Sequence, residues 1–135
     1  MNNSFIKFNN VMINTNNWLY MKLRDGSVLV NSFGKASDIL HSNMSKEDMR
    51  KIMMDFVDDE VKSDHFVFLD NCLINLDKLQ EVDSIKSVHY EDTKNNRKFD
   101  YIRFIKNGTP MDLELDDPRG QEEFIDSLYE YMSLK

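Results

Sequence analysis

At 135 residues with a net charge of −7, the chain is long enough to bury a sizeable apolar interior without metal or disulfide. No apolar run approaches the ~20 residues of a membrane-spanning helix, and Met1-Asn2-Asn3-Ser4 lacks the basic and apolar regions of a signal peptide. The single cysteine, Cys72, stands in the apolar run Cys72-Leu73-Ile74 without cationic neighbours, so it reads as a small buried hydrophobe of a reducing compartment rather than a nucleophile, and a soluble cytoplasmic protein is expected.

Phe5 to Asn14 reads as two short strands around Asn9-Asn10, because an Asn pair tolerates the positive φ of a tight hairpin. Trp18 to Leu23 and Ser27 to Val30 flank Arg24-Asp25-Gly26, a strong local hairpin signal. Asn31 to Asn43 is less regular, with one helical turn expected around Ala36 to Leu40. Ser45-Lys46-Glu47-Asp48 resembles a capping box, and Met49, Ile52, Met53, Phe56 and Val57 recur at helical spacing, so a helix is expected from Ser45 to about Asp59.

His65 to Leu69 then turns at Asp70-Asn71 into a strand expected to continue through Leu79. Ile85 to Glu91 and Phe99 to Lys106 form a longer hairpin whose polar tip is Thr93 to Lys98. Asn107-Gly108-Thr109-Pro110 turns into Met111-Asp112-Leu113-Glu114-Leu115, a strict alternation that puts apolar residues on one sheet face and acids on the other. Asp117 as N-cap and Pro118 at the first helical position start a last helix with the apolar stripe Phe124, Ile125, Leu128, Tyr131 and Met132.

The fold class is therefore α+β, with antiparallel sheets and two amphipathic helices. Phe5 to Asn14 aligns without a gap on Phe66 to Asn75, and each is followed by a hairpin and a helix, so two β-rich units over 1–64 and 65–135, sharing one globule, are expected. The offset is unequal: 61 residues at Phe5/Phe66, 82 at Gly26/Gly108 and 72 at Ser45/Asp117. A tandem duplication and a coincidence of common β and capping motifs both account for the pattern.

Candidate chemistry is sparse. Asp112, Glu114 and Asp116 project from one strand face and could hold Mg²⁺ or Ca²⁺, but the same spacing serves the solvated face of a half-buried strand. His41, His65 and His89 are scattered without Cys, Asp or Glu at ligand spacing, so no metal site is expected. Four glycines leave no dinucleotide fingerprint and no phosphate-cradling loop, and no cofactor is expected. Trp18, Tyr20, Tyr90, Phe99, Tyr101 and Phe104 could stack bases, yet their spacing fits core or sheet-face packing with few basic residues nearby. Of the methionines, Met49 and Met53 fall on the first helix's apolar face and Met54 off it.

Charge gives the functional expectation. Residues 1–65 carry eight Lys/Arg against nine Asp/Glu, and residues 66–135 nine against fifteen. Asp112, Glu114, Asp116, Asp117, Glu122, Glu123, Asp126 and Glu130 concentrate the excess at the C-terminal end. Such a surface repels phosphate backbones and favours a protein partner with a basic surface. A non-enzymatic binding protein is expected. With fourteen asparagines, a composition typical of AT-rich bacterial and phage genomes, its sharpest form is an inhibitor of a nucleic-acid-binding enzyme, of the anti-restriction or anti-CRISPR kind. The alternatives are a structural or regulatory subunit that forms a homodimer and a metal-dependent enzyme using Asp112, Glu114 and Asp116.

Overall fold

Tight turns fall where Asn, Asp and Gly were expected to place them. In the computed structural model, Asn9, Gly26, Asp70, Asn71, Asn107 and Gly108 all adopt positive φ, the conformation that these residue types reach at least cost. The structure describes residues 5–33, 35–39 and 44–133, with the side chains of 38, 99 and 118 excepted. Leu40 and His41 lie outside the described residues.

The chain is α+β, and every strand pairing is antiparallel. It divides into two compact units, Met1–Glu81 and Val82–Lys135. The first unit opens with the hairpin β1 (Phe5–Phe8) and β2 (Val11–Asn14). Strands β3 (Tyr20–Arg24), β4 (Ser27–Ser32), β5 (Lys35–Asp38), β6 (Phe66–Leu69) and β7 (Cys72–Asn75) form a five-stranded sheet in the order β5-β4-β3-β7-β6. Helix α1 (Lys46–Val57) lies between β5 and β6 in sequence and touches β1, β3 and β6.

Ser45 caps α1 as expected, its hydroxyl accepting from the Asp48 N–H at 3.1 Å. Met49, Met53 and Phe56 are buried with Ile6, Phe8, Trp18, Met21, Leu23, Phe66 and Leu73 in one apolar cluster, while Ile52 and Val57 pack at its margin. Phe56 meets Phe66 edge to face at 5.2 Å between ring centres. Burial on this scale, at roughly 1.5–3 kcal/mol for each large apolar side chain, dominates the unit's stability. Beyond α1, Asp59 Oδ1 accepts from the backbone N–H groups of Val61 and Lys62 and starts a 3₁₀ turn, Lys62–Asp64.

Several expectations need correction. Lys35 to Asp38 is a strand rather than part of a helical turn, because the edge of β4 offers it backbone partners from Leu29 to Ser32. Leu76–Leu79 is a short helix, α2, instead of a continued strand: the Asn75 side chain accepts from the N–H groups of Asp77 and Lys78 and turns the chain. The unit boundary falls after Glu81 rather than at 64/65, because β7 hydrogen-bonds to β3 with Tyr20 opposite Ile74 and thereby joins residues 66–75 to the first sheet.

The second unit is a three-stranded sheet in the order β10-β9-β8, made by β8 (Ser84–Asp92), β9 (Arg97–Lys106) and β10 (Thr109–Leu113). Thr109 and Pro110 belong to β10 rather than to the turn. Proline is tolerated there because β10 is an edge strand. Asp117 caps a 3₁₀ turn, Pro118–Gly120, and α3 (Gln121–Ser133) follows, with Gln121, Phe124 and Leu128 buried. Ile102, Phe104, Met111, Leu113 and Leu115 are also buried in this unit.

The internal similarity holds at the level of register. Phe5 faces Asn14 as Phe66 faces Asn75, and Arg24 faces Ser27 as Lys106 faces Thr109. The copies nevertheless build different sheets, since β6–β7 joins the five-stranded sheet whereas β1–β2 forms a separate ribbon. A tandem duplication is not established.

Candidate functional site

The carboxylates expected to act together are sorted by the fold into two groups. On α3, burial of Gln121, Phe124 and Leu128 defines the inward stripe, so Glu122, Glu123, Asp126 and Glu130 are exposed. Tyr129 shares that outward surface and is 74% exposed. None of the four acids forms an ion pair among the described residues.

Asp112 and Asp117 already have structural roles. Asp112 lies opposite Arg103 across the β9–β10 ladder and accepts two hydrogen bonds from it, 2.9 Å from Nε and 3.2 Å from Nη2. That hydrogen bond is the main reason that the Arg103 guanidinium is held above its usual pKa, with slight desolvation acting the other way. Arg103 is thus a fixed cation. Asp117 Oδ1 caps the Arg119 N–H at 3.0 Å and receives Arg119 Nε at 3.3 Å. Glu114 and Asp116 are exposed just beyond β10.

Asp112, Glu114 and Asp116 do not converge. Among the described residues no group of three His, Cys, Asp or Glu side chains is placed to hold a metal ion. Cys72 is buried and outside any disulfide.

Three of the six singled-out aromatics are core. Trp18, Tyr20 and Phe104 are no more than 2% exposed. Tyr90 and Tyr101 belong instead to the sheet face that carries Asp112 and Arg103; Tyr90 is exposed, and the Arg103 guanidinium lies 5.2 Å from the Tyr101 ring centre. Met49 and Met53 are buried, whereas Met54 is exposed on the far side of α1.

Two histidines are each paired with one carboxylate that their sequence spacing does not reveal. His65 Nδ1 lies 2.8 and 3.1 Å from the two carboxylate oxygens of Asp77, and His89 Nδ1 lies 2.6 Å from Asp100. Neither pair is visible as local spacing. The second could have been found from hairpin register, since His89 and Asp100 are directly opposed once the tip is set at residues 93–96; the first depends on the turn made by α2.

No protein-family model matches the chain, and no curated protein or solved structure matches it either. Among the described residues no helix is long and apolar enough to cross a membrane.

Proposed function

We propose that the protein is a non-enzymatic binding protein of the cytoplasm that engages a basic macromolecular partner through the outward surface of α3. The observation that carries this reading is the exposed set Glu122, Glu123, Asp126 and Glu130 around Tyr129 on a helix anchored by Phe124 and Leu128. Carboxylates on a packed helix form a preorganised array that attracts basic surfaces over about a Debye length, and an exposed tyrosine adds contact area at small entropic cost. Glu114 and Asp116, both exposed, add to the negative charge of the same unit, while Asp112 and Asp117 mainly hold its scaffold.

In its sharpest form the protein is a phage-type inhibitor that occupies the nucleic-acid groove of an enzyme. Capture of partners from host lysate at low and high salt, followed by competition with DNA or RNA, tests this. A partner lost at high salt and displaced by nucleic acid supports the reading, whereas direct nucleic-acid binding by this protein at micromolar affinity or better overturns it.

Self-association is the second reading, favoured by the sheet face that carries Val88, Tyr90, Tyr101 and Ile105 beside Arg103. Aromatic residues and arginine are enriched at the centres of protein interfaces. Sedimentation across a concentration series separates the two: a monomer at every concentration removes the oligomer reading.

A further inference from the structure

A cavity of about 70 Å³ in the first unit is lined by Asn16, Lys62, His65, Asn75, Asp77 and Lys78, among others. Its size decides what can fill it. A single water needs roughly 10–15 Å³ of such volume, and an engineered apolar cavity that admits benzene has about 150 Å³. The space therefore suits a group of a few heavy atoms rather than one water or an aromatic ring.

The walls are fixed by hydrogen bonds made within the unit. The backbone N–H of Leu76 donates to the carbonyl of His65 at 2.8 Å, joining α2 to the segment after the 3₁₀ turn. Asn75 is 3% exposed: its Oδ1 accepts from the N–H groups of Asp77 and Lys78, and its Nδ2 donates to the carbonyl of Thr15 at 3.0 Å. Lys62 enters from the 3₁₀ turn with Nζ 4.5 Å from the centre of the Phe56 ring. Lys78 enters from α2.

The chemistry of this lining runs against the rest of the chain. Lys62 and Lys78 line the cavity beside Asp77 in a protein whose net charge is −7; Lys78 Nζ also pairs with Glu81 Oε2 at 3.3 Å, which engages one of its three N–H donors. Asp77 occupies Nδ1 of His65, which orients the ring and leaves Nε2 as the nitrogen for a ligand; when the imidazole is protonated, Nε2–H is a third cationic donor. Ionised donors bind anionic oxygens more strongly than neutral ones do.

We propose that this cavity binds a small oxyanion, a phosphate or carboxylate group, through Lys62, Lys78 and His65, with Asp77 as a positioning residue. The site belongs to the first unit, and the acidic helix α3 to the second. It gives an otherwise acidic protein one place where an anionic metabolite, or the anionic end of a larger molecule, is favoured.

The test is a titration of the intact, isotope-labelled protein with inorganic phosphate and, separately, with acetate, at ionic strength held constant with chloride. NMR signals of the three histidine rings and all amides are followed. The expected result is a saturable shift of His65 and of the amides around Lys62 and Lys78, with a dissociation constant of about 1 mM or below for the preferred anion. Phosphate binding at least about tenfold tighter than acetate assigns a phosphate ligand, and the reverse assigns a carboxylate. His89, paired with Asp100 on an open strand, is the internal control. The double variant Lys62→Gln/Lys78→Gln, checked for an unchanged fold by its remaining amide spectrum, should bind at least about tenfold more weakly. Absence of saturation by either anion, equal shifts at His65 and His89, or undiminished affinity in the double variant would each overturn the proposal.

Discussion

Arg50 on α1 donates from Nε to Asn71 Oδ1 at 3.0 Å, which ties the helix to the β6–β7 turn. The carbonyl of the same Asn71 accepts from the Leu23 N–H at 2.9 Å, so one turn residue held at positive φ joins the helix and the central strand β3. Helical spacing alone places Arg50 on the solvent side of α1. The hydrogen bond gives it a tertiary role.

Arg50→Ala should therefore cost about 0.5–1.5 kcal/mol, the net worth of one hydrogen bond, instead of the near-zero effect expected of a surface helix position. Phe56→Ala, which removes a buried ring from the contact with Phe66, should cost about 3–5 kcal/mol. Urea titrations of both variants check the pair. Equal costs would mean that α1 presents a different face to the sheet.

Two glycines should respond to the same substitution with opposite signs. Gly108 sits at φ +80° and Gly120 does not adopt positive φ, while a Cβ added at either would meet nothing within 4 Å. Gly108→Ala should cost about 1–2 kcal/mol from backbone strain alone. Gly120→Ala should be neutral or stabilise by up to about 1 kcal/mol through the unfolded chain. Thermal melts distinguish the two, and destabilisation at Gly120 equal to that at Gly108 would refute a conformational origin.

Gln121 is 1% exposed, and its amide nitrogen and oxygen have no hydrogen-bond partner among the described residues. Replacing it with Met keeps the volume and removes two unsatisfied polar atoms, so Gln121→Met should stabilise by about 1–3 kcal/mol. A melting temperature lowered by that change would indicate that the amide is satisfied by bound solvent.

The fourfold variant Glu122→Gln, Glu123→Gln, Asp126→Asn and Glu130→Gln should keep its melting transition and lose salt-sensitive binding to a basic partner. Asp112→Asn, by contrast, should disturb the sheet face by withdrawing the charged partner of Arg103. Because the Arg103 pKa is raised, the stability from its charged form is fully present below the unfolded-state value and is lost only as pH rises through the higher folded value. No transition near neutral pH should trace to this arginine, which a pH series of melts on wild type and Arg103→Gln can check.

Structure that depends on neighbours in sequence was legible in advance. The Asp25-Gly26 and Asn107-Gly108 hairpins follow from residues that reach positive φ easily, and α1 follows from the Ser45 cap with apolar spacing at Met49, Met53 and Phe56. What stayed hidden depends on distant pairing. Lys35-Ala36-Ser37-Asp38 has no apolar alternation and becomes a strand only because β4 has an unpaired edge. Leu76 to Leu79 looks like a continuing strand until Asn75 is seen to cap it. The acids of α3 were recognised as a group, but the partners of Asp112 and Asp117 come from register and local capping. The cavity around His65 requires two short elements to meet through a single backbone hydrogen bond.

The placement of methionines makes the chain a graded recorder of oxidative exposure. Met21, Met49 and Met53 are completely buried, whereas Met12 and Met54 are 60% and 43% exposed. Peroxide should convert the last two to sulfoxides while the fold stands, because a polar sulfoxide at the surface disturbs little. Oxygen at Met49 or Met53 would instead report that the interior had opened, and the sulfoxide, too polar for that site, would hinder its return.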